Sequence, residues 1–110
     1  MSYLAELKYK HNNFDSKGNV FEGTDGLISY QYRQYRGEQW KFKFPNGYGA
    51  SVLFANFSYG YSKGLFELAV VKWDGDYMEL CYDTEITDDV VRGASKEDVL
   101  NILEKIKSLA

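Results

Sequence analysis

The sequence predicts an α+β domain: a single mainly antiparallel sheet of about five strands covered by one C-terminal helix. Three observations predict it. Trp40, Phe42 and Phe44 alternate with Lys41 and Lys43, the period-2 pattern of a strand with one apolar and one solvated face. Two turn signals, Asn46-Gly47 and Asp74-Gly75-Asp76, each separate two strand-like runs, as in β-hairpins. Behind Ser95, the residues Val99, Ile102, Leu103 and Ile106 fall at helical spacing.

Taken in order, residues 2–14 carry Tyr3, Leu4, Leu7 and Phe14 and fit a short helix or a first strand equally well. Residues 15–26 are dense in Gly, Asp, Asn and Ser and read as a long turn or mobile loop. Ile28, Tyr30 and Tyr32 alternate with Ser29, Gln31 and Arg33, so a strand is expected over 27–35 with a tyrosine stripe as its apolar face. Strands are expected next over 39–45 and 49–55, joined by a type I′ turn in which Asn46 and Gly47 both take positive φ. Residues 56–64 read as an aromatic-rich loop. Strands over 65–73 and 77–83 follow, the first apolar on both faces around Leu68–Val71 and therefore central. The stretch 83–93 reads as connection or a short helical turn. Ser95 and Asp98 resemble a capping box, and Lys105 and Lys107 sit at the negative dipole end of a helix over 96–109. The expected core is Trp40, Phe42, Phe44, Val52, Leu68, Val70, Leu80, Val99, Ile102, Leu103 and Ile106.

A chain of 110 residues has room for one core, so residues 1–110 are read as a single domain. Its 45% apolar and 26% charged residues are an ordinary globular composition. The longest apolar run, Leu68–Val71, is far below the roughly 20 residues of a membrane span, and the N-terminus has no signal-peptide core; the expected location is the cytoplasm, with no membrane partner. The lone cysteine, Cys81, can form no internal disulfide and is read as a small buried apolar residue rather than a nucleophile, since the lone His11 would have to reach it through the fold to form a dyad. Net charge is −3, with residues 1–49 mildly basic and residues 50–110 acidic, a balance unlike that of a strongly basic nucleic-acid domain.

The motifs of phosphate-binding loops, zinc sites and nucleophile elbows are missing from the sequence. No catalytic residue is assigned, no cofactor is expected, and an enzyme is not the expectation. Gly47-Tyr48-Gly49 sits at a hairpin rather than before a helix, so Asn46 and Gly47 are read as structural turn residues. Asp83, Glu85, Asp88 and Asp89 form an acidic patch; oxygen-rich clusters suit hard cations, but the spacing does not match an EF-hand loop and no metal is assigned. The candidate binding surface is Tyr30, Tyr32, Arg33, Tyr35, Arg36, Lys41 and Lys43, together with Tyr59 and Tyr61. Aromatics flanked by cations can stack bases and hold phosphates, whereas tyrosine alone is enriched at protein interfaces.

The segments FPNGYGASV at Phe44–Val52, LFELAVV at Leu65–Val71 and LCYDTEITDDVV at Leu80–Val91 give the chain a resemblance to a family of small uncharacterised proteins encoded by bacteriophages and prophages. The resemblance covers about the last two-thirds of the chain and carries no catalytic assignment. It implies a protein made in a host bacterial cytoplasm that binds a host or phage macromolecule. The leading expectation is a non-enzymatic phage accessory protein with a host protein as partner, for instance an inhibitor of a host factor or defence system. The alternatives are a single-stranded nucleic-acid-binding module and a small-ligand or metal-binding protein using the 83–89 cluster. Oligomeric state is left open.

Overall fold

The computed structural model describes residues 17–33, 37–55, 63–82, 84, 86 and 90–109, with Arg33 in its backbone only. Among the described residues six strands form one sheet: β1 (Leu27–Arg33), β2 (Gly37–Lys43), β3 (Tyr48–Phe54), β4 (Phe66–Asp74), β5 (Tyr77–Leu80) and β6 (Val91–Ala94). The helix α1 (Lys96–Lys107) follows. The sheet order is β1-β2-β3-β4-β5, every pairing is antiparallel, and β6 pairs with the start of β4 while β5 pairs with its end. β4 is therefore flanked along both edges, and its residues Leu68–Val71 are all buried.

Register turns the sequence alternation into a core. Trp40, Val52 and Leu68 stand in one cross-strand row and Phe42, Ala50 and Val70 in the next, all buried on the same face. Lys41 and Lys43, one residue out of phase, stand on the opposite face. α1 covers β3, β4 and β6 with Val99, Leu103 and Ile106 buried, each contributing about 1.5 to 3 kcal/mol by its removal from water. Its start is the expected capping box: Asp98 N–H donates to Ser95 Oγ at 3.1 Å and Ser95 N–H donates to Asp98 Oδ2 at 3.1 Å. At its other end Lys107 bonds Glu104 at 3.0 Å and Asp25 at 3.3 Å. The bond to Glu104, then that to Asp25, holds its ammonium above the ordinary lysine range.

Several sequence expectations are corrected. Residues 17–26 are a chain of tight turns, but not a loop apart from the fold, because Phe21 is fully buried. Its ring meets Trp40 edge-on at 5.2 Å, Phe42 at 5.8 Å and Phe66 at 5.2 Å. β6 replaces part of the expected 83–93 connection; four residues with Gly93 at φ 69° are too short to show a period. β5 stops at Leu80 rather than 83. Leu80 is 55% exposed, because it pairs with Val71 on the face away from α1 and no further strand among the described residues lies outside it. Ile102 is half-buried at the margin of the core, since the buried stripe of α1 runs through Val99, Leu103 and Ile106.

The first hairpin is not type I′. Gly47 has φ 89°, but no described non-glycine residue has positive φ, so Asn46 does not. Gly47 N–H donates to Phe44 O at 3.0 Å and Phe44 N–H donates to Tyr48 O at 2.9 Å, closing a three-residue loop, Pro45-Asn46-Gly47. Pro45 fixes a negative φ at the first loop position and the left-handed glycine comes third. The second hairpin has a two-residue loop, Gly75-Asp76, with Gly75 at φ 60°, which fits a II′ turn.

Candidate functional site

The strands β1 and β2 bring together the part of the sequence-derived surface that lies within the described residues. Tyr30 pairs with Trp40 and Tyr32 with Glu38 across β1 and β2, which puts the tyrosines on the core-facing side of the outer strand. Tyr30 packs its ring 5.4 Å from Trp40 and donates its hydroxyl to Glu38. Glu38 is itself 1% exposed and accepts the backbone N–H groups of Lys17 and Gly18, both at 2.7 Å. Trp40 Nε1 donates to Gly18 O at 3.1 Å. This cluster clamps the 17–18 backbone onto the sheet, and Tyr30 is a member of that clamp.

The lysines point the other way. Lys43 Nζ donates to Gly75 O at 2.7 Å and lies 5.4 Å from the Trp73 ring centre; Trp73 Nε1 donates to Phe42 O at 2.8 Å. Lys43 thus joins β2 to the β4–β5 turn, a structural use of a residue read as a binding cation. Lys41 shares its face, half-buried beside Ser51. Arg33 ends β1, and its side chain lies outside the described atoms, as do Tyr35, Arg36, Tyr59, Tyr61 and the acidic residues Asp83, Glu85, Asp88 and Asp89. Among the described residues no three His, Cys, Asp or Glu side chains come together as a cation site, and no helix is long and apolar enough to cross a membrane. Cys81 is half-buried.

Asn46 does more than the turn requires. Its Oδ1 accepts Tyr48 N–H at 3.0 Å, and its Nδ2 donates to Ile106 O at 2.9 Å, Leu109 O at 3.1 Å and Lys107 O at 3.2 Å. The β2–β3 hairpin therefore adds a side-chain donor to the carbonyls at the C-terminus of α1, of which Ile106 O also accepts Leu109 N–H.

Exposed apolar surface has a definite distribution. The exposed large apolar side chains among the described residues are Ile28 and Tyr30 on β1, Tyr77 and Leu80 on β5, and Tyr82 just past it, so all of them lie on the two outer strands or directly after one. Tyr77 is 63% and Tyr82 42% exposed. Beside β5 a depression of about 420 Å³ is lined by Tyr48, Lys72, Glu79, Leu80, Cys81 and Tyr82. Lys72, opposite Glu79 in register, places its Nζ 5.8 Å from the Tyr48 ring centre. Sequence reasoning missed this β5 surface because Leu80 and its neighbours carry an ordinary strand pattern, and exposure follows from strand order, which periodicity does not report. Comparison of the chain with family models, with curated proteins and with solved structures finds no match.

Proposed function

We propose that this chain is a non-enzymatic binding protein whose partner is another protein, engaged at the outer edge of the sheet. The observation that carries this reading is the confinement of the exposed large apolar side chains, among the described residues, to β1, β5 and the residue pair after β5. A sheet edge offers unpaired backbone donors and acceptors, and apolar side chains beside them add desolvation energy to those hydrogen bonds. Tyr77 and Tyr82 supply rigid area with a polar tip, the composition favoured at protein interfaces. The structural use of Lys43 weakens the case for a base-stacking surface with a phosphate-binding stripe. The resemblance of Phe44–Val52, Leu65–Val71 and Leu80–Val91 to phage-encoded proteins supports a phage accessory role in a bacterial cytoplasm.

A photo-crosslinking amino acid placed at Tyr77, with one at the exposed helix position Glu97 as control, tests this in the producing cells. Protein adducts at position 77 that are lacking at position 97 are the expected result. Adducts to nucleic acid alone, or equal protein adducts at both positions, would overturn it.

A further inference from the structure

The edge of β5 is specified more closely than the rest of the surface. Among the described residues β5 is the last strand of the sheet. Cys81 N–H donates to Val70 O at 2.8 Å, so residue 81 faces β4; by alternation the backbone groups of Met78 and Leu80 face outward. The flanking side chains are open: Tyr77 and Leu80 are more than half exposed, and Glu79 is exposed between them.

Charge says what fits there. Residues 73–91 contain Asp74, Asp76, Glu79, Asp83, Glu85, Asp88 and Asp89 and no Lys or Arg. Two described cations stand beside these acids on neighbouring strands, Lys43 on Gly75 O and Trp73, and Lys72 opposite Glu79 and over Tyr48, which leaves the 73–91 segment in excess of carboxylates. Asp74, Asp76 and Glu79 are exposed around the open edge. A second copy of this chain would set the same acids against one another with no cation on either β5, which disfavours pairing of like edges.

We propose that the open edge of β5 accepts an extended, lysine- or arginine-bearing segment of a partner protein as a further strand of the sheet. Main-chain bonds to Met78 and Leu80 align the segment; its apolar side chains lie along Leu80 and Met78 on one face, and its cations meet Glu79 beside Tyr77 on the other. This inference rests on the protein-binding reading and adds the mode and the chemistry of the partner.

The test pans the full chain against a displayed library of random linear peptides, with the Met78→Pro and Glu79→Lys variants as counter-screens. Met78→Pro removes an outward N–H at an edge strand, where proline is tolerated, and its melting curve checks that the fold is kept. The expected winners alternate apolar with Lys or Arg, lose binding at least about tenfold to either variant, weaken with added salt, and slow hydrogen exchange at the Met78 and Leu80 amides. If Met78→Pro melts early, exchange protection and the Glu79→Lys variant decide alone. Winners that are acidic or neutral, winners indifferent to Glu79→Lys, or no enrichment over background would overturn the inference. A protein crosslinked at Tyr77 in cells alongside such a failed screen would leave the protein-binding reading standing and remove only strand addition by a basic segment.

Discussion

Asn46 and Glu38 are polar residues whose positions look interchangeable in the sequence and are not so in the structure. Asn46→Ala removes the donor that serves three helix-end carbonyls and is expected to cost about 1 to 2 kcal/mol, in line with the loss of other caps. Asn46→Asp should be no better, because a carboxylate cannot donate and would face the negative end of α1. Equal stability of parent and Asn46→Ala in urea melts would refute this. At Glu38 each carboxylate oxygen receives a backbone N–H, Oε1 from Lys17 and Oε2 from Gly18. In Glu38→Gln one oxygen becomes an NH2 group set against a donor, so a loss of about 1 to 3 kcal/mol is expected despite the near-identical shape. Two glycines make a third comparison. A Cβ at Gly47 meets nothing within 4 Å, so Gly47→Ala suffers only from its φ of 89°, about 1 kcal/mol. A Cβ at Gly49 would lie 1.9 Å from Phe42 O and 2.6 Å from Trp73 Nε1, so Gly49→Ala should be the more damaging of the two. The reverse order in thermal melts would show that the β2–β3 strands shift to admit a side chain.

At the scale of elements, the parts legible in the sequence are those whose signal is local. WKFKF, the two glycine turns and the Ser95 capping box each declare themselves within a few residues; β2 to β4 and α1 lie within two residues of where they were expected, and β5 starts where expected but ends at Leu80. What was not legible depends on partners distant in the chain. Phe21 is surrounded by turn-forming residues and gives no periodic signal, yet it is a centre of the aromatic core because Glu38 and Trp40 hold Lys17 and Gly18 in place beside it. Phe21→Ala is therefore expected to cost about 3 to 5 kcal/mol, the range for a buried aromatic, whereas a loop residue would change little. On α1 the fully buried Leu103 should lose more on truncation to Ala, about 2 to 5 kcal/mol, than the half-buried Ile102. Denaturant melts of both variants check the order. The candidate site was legible only in kind: tyrosines were recognised as surface-forming, but Tyr30 serves the Glu38 clamp, and the most open tyrosines among the described residues are Tyr77 and Tyr82. Composition shows that such residues exist, and only strand order shows which are left outside.

For the whole molecule, one face of the sheet is closed by α1 and by the Phe21 turn segment, and the described apolar side chains left in water gather at its margins. Fold stability and binding then draw on different residues. Tyr77→Ala and Leu80→Ala should each leave the melting transition within about 0.5 kcal/mol of the parent, as exposed positions do. Each should weaken partner capture by about 1 to 3 kcal/mol, as anchor residues of an interface do. Titration of the captured partner with both variants, beside their melts, checks the separation; early melting with unaltered capture would place these side chains in the fold's own support.

The bonds from Asn46 to the end of α1 span at least 60 positions of sequence. A connection of that length closes only after the intervening strands have been laid down, since loop closure must precede the reward of the contact. The side chain of Asn46 then acts as a latch fastened last. Its removal should speed unfolding by nearly the whole change in stability and leave the folding limb of a chevron plot almost unmoved. A slowed folding limb would mean instead that the hairpin and the helix end meet early, within the folding nucleus.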